Sequence, residues 1–191
     1  MRDLSKMTCI EDLRRVAKFK MPKMFYDYID SGSWTQHTYR ANSTDFAPIE
    51  FRQRVLVNME GRSLESEMIG QKVKMPLAIA PTGFTGMAWA DGEIHAARAA
   101  EKFGVPFSLS TMSICSIEDV AENTSAPFWF QLYVMRQREI SYGLVERAAK
   151  AGFDTLFFTV DTPVAGARLR DKRNGFSIPP QISLGTVLNA I

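Results

Sequence analysis

The sequence predicts an α/β fold on a parallel sheet, of the (β/α)8 barrel kind, behind an N-terminal helical cap. Three observations carry this expectation. Short apolar runs recur at 75–80 (MPLAIA), 106–110, 127–133 (PFWFQLY) and 155–160 (TLFFTV), the pattern of strands buried on both faces. Segments of helical period separate them. Polar residues close each run, where a barrel presents its functional groups. A doubly wound sheet usually carries G-x-G-x-x-G after its first strand, and the glycines of PTGFTG at 81–86 do not match that spacing. About four of eight βα units fit, so the barrel is expected to be truncated, with its last strand left as an unpaired edge.

The elements follow in order. Thr8 and Glu11 fit a capping box before Ile10, Leu13, Val16 and Ala17 at helical spacing. Pro22 can open a second helix carrying Met24, Phe25 and Tyr28, with Gly32 as a left-handed cap after Ser31. Residues 38–70 are mixed and read as a covering segment; the cap is taken as 1–70 and the barrel half as 71–191. A helix is expected over 91–103, with Ile94, Ala97, Ala100 and Phe103 on one side. Ser116 and Asp119 form a second capping box, before Ile117, Val120 and Ala121. Ile140, Leu144, Val145, Ala148 and Ala149 make a third helical stripe, ended by Gly152.

Composition excludes several classes. With 46% hydrophobic and 23% charged residues in 191, a sizeable core is expected and disorder is not. The 23 basic and 21 acidic residues are interspersed, which gives no nucleic-acid footprint; Arg168, Arg170, Lys172 and Arg173 are the one basic cluster. Cys9 and Cys115 are far apart, so neither a disulfide scaffold nor a zinc site is expected, and a reducing compartment fits. The first fifteen residues carry charges throughout and show no secretory signal, and no apolar run approaches a membrane span. The expected setting is cytoplasmic.

At the strand ends, Thr82, Ser110, Gln131 and Thr159 are neutral hydrogen-bonding residues on one rim. Each alone could simply cap a buried strand. Four in consecutive units suit a flat heterocycle such as an isoalloxazine ring, and not a metal, which wants His, Cys or carboxylates. Tyr28 and Tyr133 could hydrogen-bond a carboxylate or hydroxyl, or be ordinary boundary aromatics. Arg168 could clamp a carboxylate or be a solvated loop charge. Asp161 could stabilise a protonated base or cap the Thr162-Pro163 turn. His95 falls inside a helix and His37 in an irregular segment, so neither is expected to be a general base.

Five ordered runs carry a resemblance: MPKMFYDYIDSGS (21–33), MPLAIAPTGF (75–84), SLSTMSICSIEDVA (108–121), FWFQLYV (128–134) and AGFDTLFFTVDTPVAGARLRD (151–171). The chain resembles the FMN-dependent α-hydroxy acid dehydrogenases, and within them is most similar to bacterial respiratory L-lactate dehydrogenases. The resemblance implies FMN as cofactor and a barrel of the FMN-linked type. It implies that Pro81, Thr82 and Gly83 line the flavin and that Ser110, Gln131 and Thr159 hydrogen-bond it. Tyr133 would contact the substrate hydroxyl, Asp161 would pair with a catalytic histidine, and Tyr28 and Arg168 would bind the substrate carboxylate.

The implied reaction oxidises an (S)-2-hydroxy acid, L-lactate before others, and passes electrons to a quinone or cytochrome. An O2-using oxidase of the glycolate type is the alternative within the family. The family's S-N-H-G-x-R-Q histidine motif, the lysine before it and the phosphate-binding D-G-G-x-R segment do not occur here, so a third expectation is a non-catalytic half-barrel. Gly83 stands where many members have Ala, and Met112 where glycolate oxidase has a bulky aromatic. Apolar residues from Phe176 to Ile191 beside the basic cluster (Ile178, Ile182, Leu184, Val187 and Leu188 among them) suggest a lid or peripheral contact with the inner face of the cytoplasmic membrane. The full-length form is expected to be a homo-oligomer.

Overall fold

The computed structural model describes residues 4–161 and 164–177. Ile178, Ile182, Leu184, Val187, Leu188 and Ile191 of the apolar tail, and the Thr162-Pro163 turn, lie outside the described residues. The described chain divides into two compact units, one of residues 4–55 and 164–177, the other of 56–161.

In the first unit, a 3-10 turn (Leu4–Lys6) precedes α1 (Ile10–Lys20), α2 (Lys23–Ile29) and α3 (His37–Thr44). The expected Thr8–Glu11 capping box does not form. Cys9 is the N-cap, and Asp12 reaches back to take both the Thr8 amide (3.0 Å) and hydroxyl (2.9 Å). A carboxylate one residue further into the helix has displaced Glu11 from the role. Pro22 does open α2, but Asp30 closes it, and Gly32 is not left-handed. Gly32 is needed for space instead, since a Cβ there would fall 2.7 Å from Tyr39 Cβ. Asp30 ties the helices together by accepting from Arg14 Nε at 2.7 Å and from the Tyr39 hydroxyl at 3.2 Å. The short α8 (Leu169–Arg173) belongs to this unit, where Phe176 stacks on Tyr28 at 4.7 Å between ring centroids.

The second unit is α/β. A polar antiparallel hairpin, β1 (Ser66–Met68) and β2 (Gln71–Val73), occupies part of the segment that had no clear pattern. Then come α4 (Thr85–Ala88), α5 (Gly92–Phe103), β3 (Ser108–Ser110), α6 (Ile117–Glu122), β4 (Trp129–Leu132), α7 (Arg138–Lys150) and β5 (Thr155–Phe158). The sheet is parallel in the order β3-β4-β5, so each crossover contains a helix, as parallel pairing requires. Ser116 and Asp119 form the predicted capping box in full, with both bonds at 3.0 Å. Gly152 ends α7 with φ 88°, a conformation that favours glycine.

One expected strand comes out weaker, and the last is an edge, as expected. The run 75–80 makes one parallel bridge, Ile79 to Phe107, instead of a strand. Pro76 has no N–H to give a ladder, and the Leu77 amide turns back to Met75 O at 2.7 Å. β5 is half bare, with Leu156 46% and Phe158 59% exposed, because among the described residues it pairs with β4 alone. Phe103, Ile140 and Ala149 also leave their predicted stripes for the surface.

The core sits between the sheet and its helices. Leu109, Phe130 and Leu132 of the sheet meet Ile94, Ala97 and Ala100 of α5, Val120 of α6 and Ala148 of α7. Phe153 adds edge-on contacts to Phe128 at 3.8 Å and Phe130 at 5.5 Å. Each large side chain buried here stabilises by roughly 1.5–3 kcal/mol relative to exposure. The opposite face of the same strands, one residue out of phase across the pleat, is polar at its carboxyl end.

Candidate functional site

Parallel register fixes which side chains meet. Ser110 pairs with Gln131, and Gln131 with Phe157. Alternation then places Ser108 and Ser110, Trp129 and Gln131, and Phe157 and Thr159 on one face. Gln131 is the centre of this face and only 5% exposed. Its side-chain oxygen accepts from the Ser110 hydroxyl (3.2 Å) and the Thr111 amide (3.3 Å). Its side-chain NH2 donates to Thr159 Oγ1 at 2.7 Å. The three predicted rim residues Ser110, Gln131 and Thr159 are thus one hydrogen-bonded network across three strands.

Thr111, which was not singled out as a site residue, completes it. Its hydroxyl donates to Gln131 O at 2.5 Å and accepts the Tyr133 amide at 3.0 Å. Tyr133, half-buried, is thus held by its amide where the chain leaves the sheet. Pro81 and Thr82 lie on the loop after the Ile79 bridge. The Thr82 hydroxyl donates to Ala80 O at 3.3 Å. The next residue, Gly83, packs against the second loop so closely that a Cβ would lie 2.9 Å from Met112 Cβ and 3.6 Å from Ser110 Oγ. The Phe84 amide donates to Met112 O at 2.9 Å and joins the two loops.

A cavity of about 490 Å³ opens on this face, lined by residues 78–81, Ser108, Trp129, Gln131 and 157–161. Asp161 and Thr159 share its wall with Pro81. Trp129 is 2% exposed, packs edge-on against Phe157 at 5.3 Å, and keeps its indole N–H buried with no hydrogen-bond partner. Neutral hydrogen-bonding groups, aromatic walls and an orphaned donor fit a flat heterocycle. The lining has no lysine or arginine. It has no histidine either, and both His37 and His95 are exposed on helices. Among the described residues no cluster of His, Cys, Asp and Glu could hold a metal ion.

Tyr28 and Arg168 come together in the first unit. The Arg168 guanidinium carbon sits 4.6 Å from the Tyr28 ring centroid, a cation–π contact. Arg168 also donates to the Tyr28 carbonyl and to Asp171, a buried acid. Two of its donor nitrogens are therefore already engaged, and any carboxylate must meet the remainder.

Sequence reasoning missed Glu93, which is 1% exposed in the first turn of α5. Its Oε1 accepts the amides of Gly86 and Ile114, each at 3.1 Å. Burial opposes its charge, but the amides of Ile114 and Gly86, with its own amide and the Cys115 thiol, together hold the carboxyl below its usual range. Burial first, and the Glu93 carboxylate second, push the neighbouring Cys115 thiol up to about 11.

Known proteins give this geometry a context. The chain is 48% identical over 180 residues to an L-lactate dehydrogenase of Vibrio cholerae, covering 94% of this chain and 47% of that one. It is 46% identical over 185 residues to an L-lactate dehydrogenase of Xanthomonas campestris, covering 97% and 48%. The solved structure of the monotopic membrane protein (S)-mandelate dehydrogenase matches with a TM-score of 0.90 at 41% identity, over 96% of this chain and 49% of that one. The chain thus spans about half the length of the curated relatives it matches. No described helix is long and apolar enough to cross a membrane. The model of the FMN-dependent dehydrogenase family matches residues 17–191. With that match over most of its length, the chain belongs to the FMN-dependent dehydrogenase family.

Proposed function

We propose that this chain supplies the flavin-ring and substrate-facing part of an FMN-dependent (S)-2-hydroxy acid dehydrogenase acting on L-lactate. The observation that carries the reading is the Ser110–Gln131–Thr159 network beside the cavity. These three residues, with the backbone of Pro81, Thr82 and Gly83, hold and orient the ring. Tyr133 hydrogen-bonds the substrate hydroxyl, and Tyr28 and Arg168 receive its carboxylate. Asp161 holds the proton-accepting base in its cationic form by charge. FMN, when bound, takes the two electrons lost from the substrate α-carbon. The L-lactate dehydrogenases at 46–48% identity support lactate as substrate.

The further assignments belong to the same reading. Residues 1–70 form a cap and 71–191 the first four units of a (β/α)8 barrel. The whole enzyme is a homo-oligomer that passes electrons to a quinone or cytochrome. It works in the cytoplasm or bound peripherally to the inner face of the cytoplasmic membrane; the mandelate dehydrogenase described as monotopic supports that placement.

The test is a visible spectrum of the purified chain after incubation with FMN, followed by anaerobic L-lactate. A bound-flavin spectrum that bleaches establishes ring binding and turnover together. A bound flavin that stays oxidised leaves the ring site and removes the lactate activity from this chain. Absence of any bound flavin overturns the reading.

A further inference from the structure

Among the described residues Glu93 is the one deeply buried carboxylate of the second unit, and the reaction proposed above gives it no task. Its position is unusual for an acid in a first helical turn, where such residues normally face water. Burying a carboxylate costs stability unless it is fully hydrogen-bonded, and often still does relative to an apolar side chain. Here no cation offsets it. The amides of Gly86 and Ile114 donate to Oε1, Oε2 is buried without a nitrogen or oxygen donor, and the Cys115 thiol lies beside the carboxylate.

Those two amides belong to different connections, Gly86 to the short α4 between the Ile79 bridge and α5, and Ile114 to the loop between β3 and α6. Gly86 follows the Ile79 bridge by way of Pro81, Thr82 and Gly83; Ile114 follows β3 by way of Ser110 and Met112. The loops touch. A Cβ on Gly86 would lie 2.7 Å from Ile114 Cβ and 3.1 Å from Glu93 Oε2. Two to four residues earlier on each side the two connections touch again beside the rim, with Phe84 N on Met112 O and Gly83 against Ser110. Phe84 has φ 60°, so the turn between Gly83 and Gly86 is held in a left-handed conformation that a non-glycine residue adopts only under constraint. Gly92 locks the carboxylate's own helix to the first loop, since a Cβ there would lie 2.8 Å from Thr85 O.

We propose that Glu93 is a positioning residue: one carboxylate oxygen clamps the first and second strand-to-helix loops together and so fixes the Pro81–Gly83 backbone against Ser110 and Met112 at the ring site. It touches neither flavin nor substrate and acts through Gly86 and Ile114. The inference rests on the flavin reading of that rim. The clamp itself is a property of this chain alone and is measured without ligand.

The experiment compares Glu93→Gln and Glu93→Ala with the parent chain, and with Glu118→Gln, an exposed acid of α6, as control. Two quantities are read: amide hydrogen exchange at each loop residue, and FMN affinity by flavin fluorescence quenching, with the thermal midpoint followed alongside. Removing a charged acceptor of this kind is worth about a tenfold change in a local equilibrium. Exchange at Gly86 and Ile114 is expected to rise by about that factor in Glu93→Ala and less in Glu93→Gln. It should spread to Gly83, Phe84 and Met112, and FMN affinity should fall in the same order. Glu118→Gln should change neither. If Glu93→Ala does not fold, Glu93→Gln decides alone. Faster exchange confined to Gly86 and Ile114, or spreading exchange with unchanged FMN affinity, overturns the positioning role. If the parent chain takes no FMN, the flavin reading fails by itself, and the clamp stands or falls on whether exchange spreads to Gly83 and Met112.

Discussion

Gln131 donates to Thr159 Oγ1 at 2.7 Å, and through that bond the middle strand of the sheet is tied to the residue that leaves its edge. The other end of the same amide accepts from Ser110, so one side chain spans three strands. A side chain that is nearly all buried and uses both ends cannot be replaced by an apolar one of similar shape without stranding its partners.

Gln131→Leu is therefore expected to destabilise the fold by about 1–3 kcal/mol, because the Thr111 amide and the Ser110 and Thr159 hydroxyls lose a buried partner. Urea unfolding measures this as a lower midpoint at unchanged slope. FMN retention should be lost in the same variant. Retention at the parent's affinity would mean that Gln131 only braces the strands.

Gly83→Ala introduces a Cβ 2.9 Å from Met112 Cβ, an atom next to backbone that cannot swing away. Overpacking of this kind costs about 1–3 kcal/mol. The double variant Gly83→Ala with Met112→Gly should recover part of the loss, and a thermal-melt double-mutant cycle reads the coupling. No recovery would mean that the two loops separate freely.

Acid titration should expose the α6–α7 contact. The paired bonds from Arg147, at 2.8 and 2.6 Å, hold the Glu118 carboxyl down at about 2, against an ordinary value of 4.5. A carboxyl held lower in the folded state stabilises it above the unfolded value and loses that contribution as pH falls through the folded one. The loss thus runs from about pH 4.5 down to about pH 2. The pair is half exposed, so the effect is small and shrinks with salt. In Arg147→Gln the Glu118 midpoint, followed by NMR, should return toward 4.5. An unmoved midpoint would contradict the contact.

What was legible in the sequence was local or periodic. The Ser116–Asp119 box needs partners three residues apart, and it formed as read. The Thr8–Glu11 box has the same spacing, but Asp12 competes for the same donors, which no pairwise pattern reveals. The rim at Ser110, Gln131 and Thr159 was readable because strand ends are marked by the switch from apolar to polar. Glu93 was not, because its two partners lie 7 and 21 residues away and meet it only when the loops fold over α5. The hairpin of β1 and β2 was hidden by strands of three mostly polar residues, too short to show alternation. The last strand was expected as an unpaired edge from the number of βα units alone, and among the described residues β5 pairs with β4 only.

The burial of Trp129 has an optical consequence. Trp34 and Trp89 are 67% and 63% exposed, while Trp129 sits in the wall of the cavity at 2%. Its emission should be blue-shifted and shielded from iodide, distinct from the water-facing pair. An isoalloxazine settling against that wall would drain this emission by energy transfer. The chain therefore carries its own spectroscopic gauge of whether the rim is occupied, with no label added.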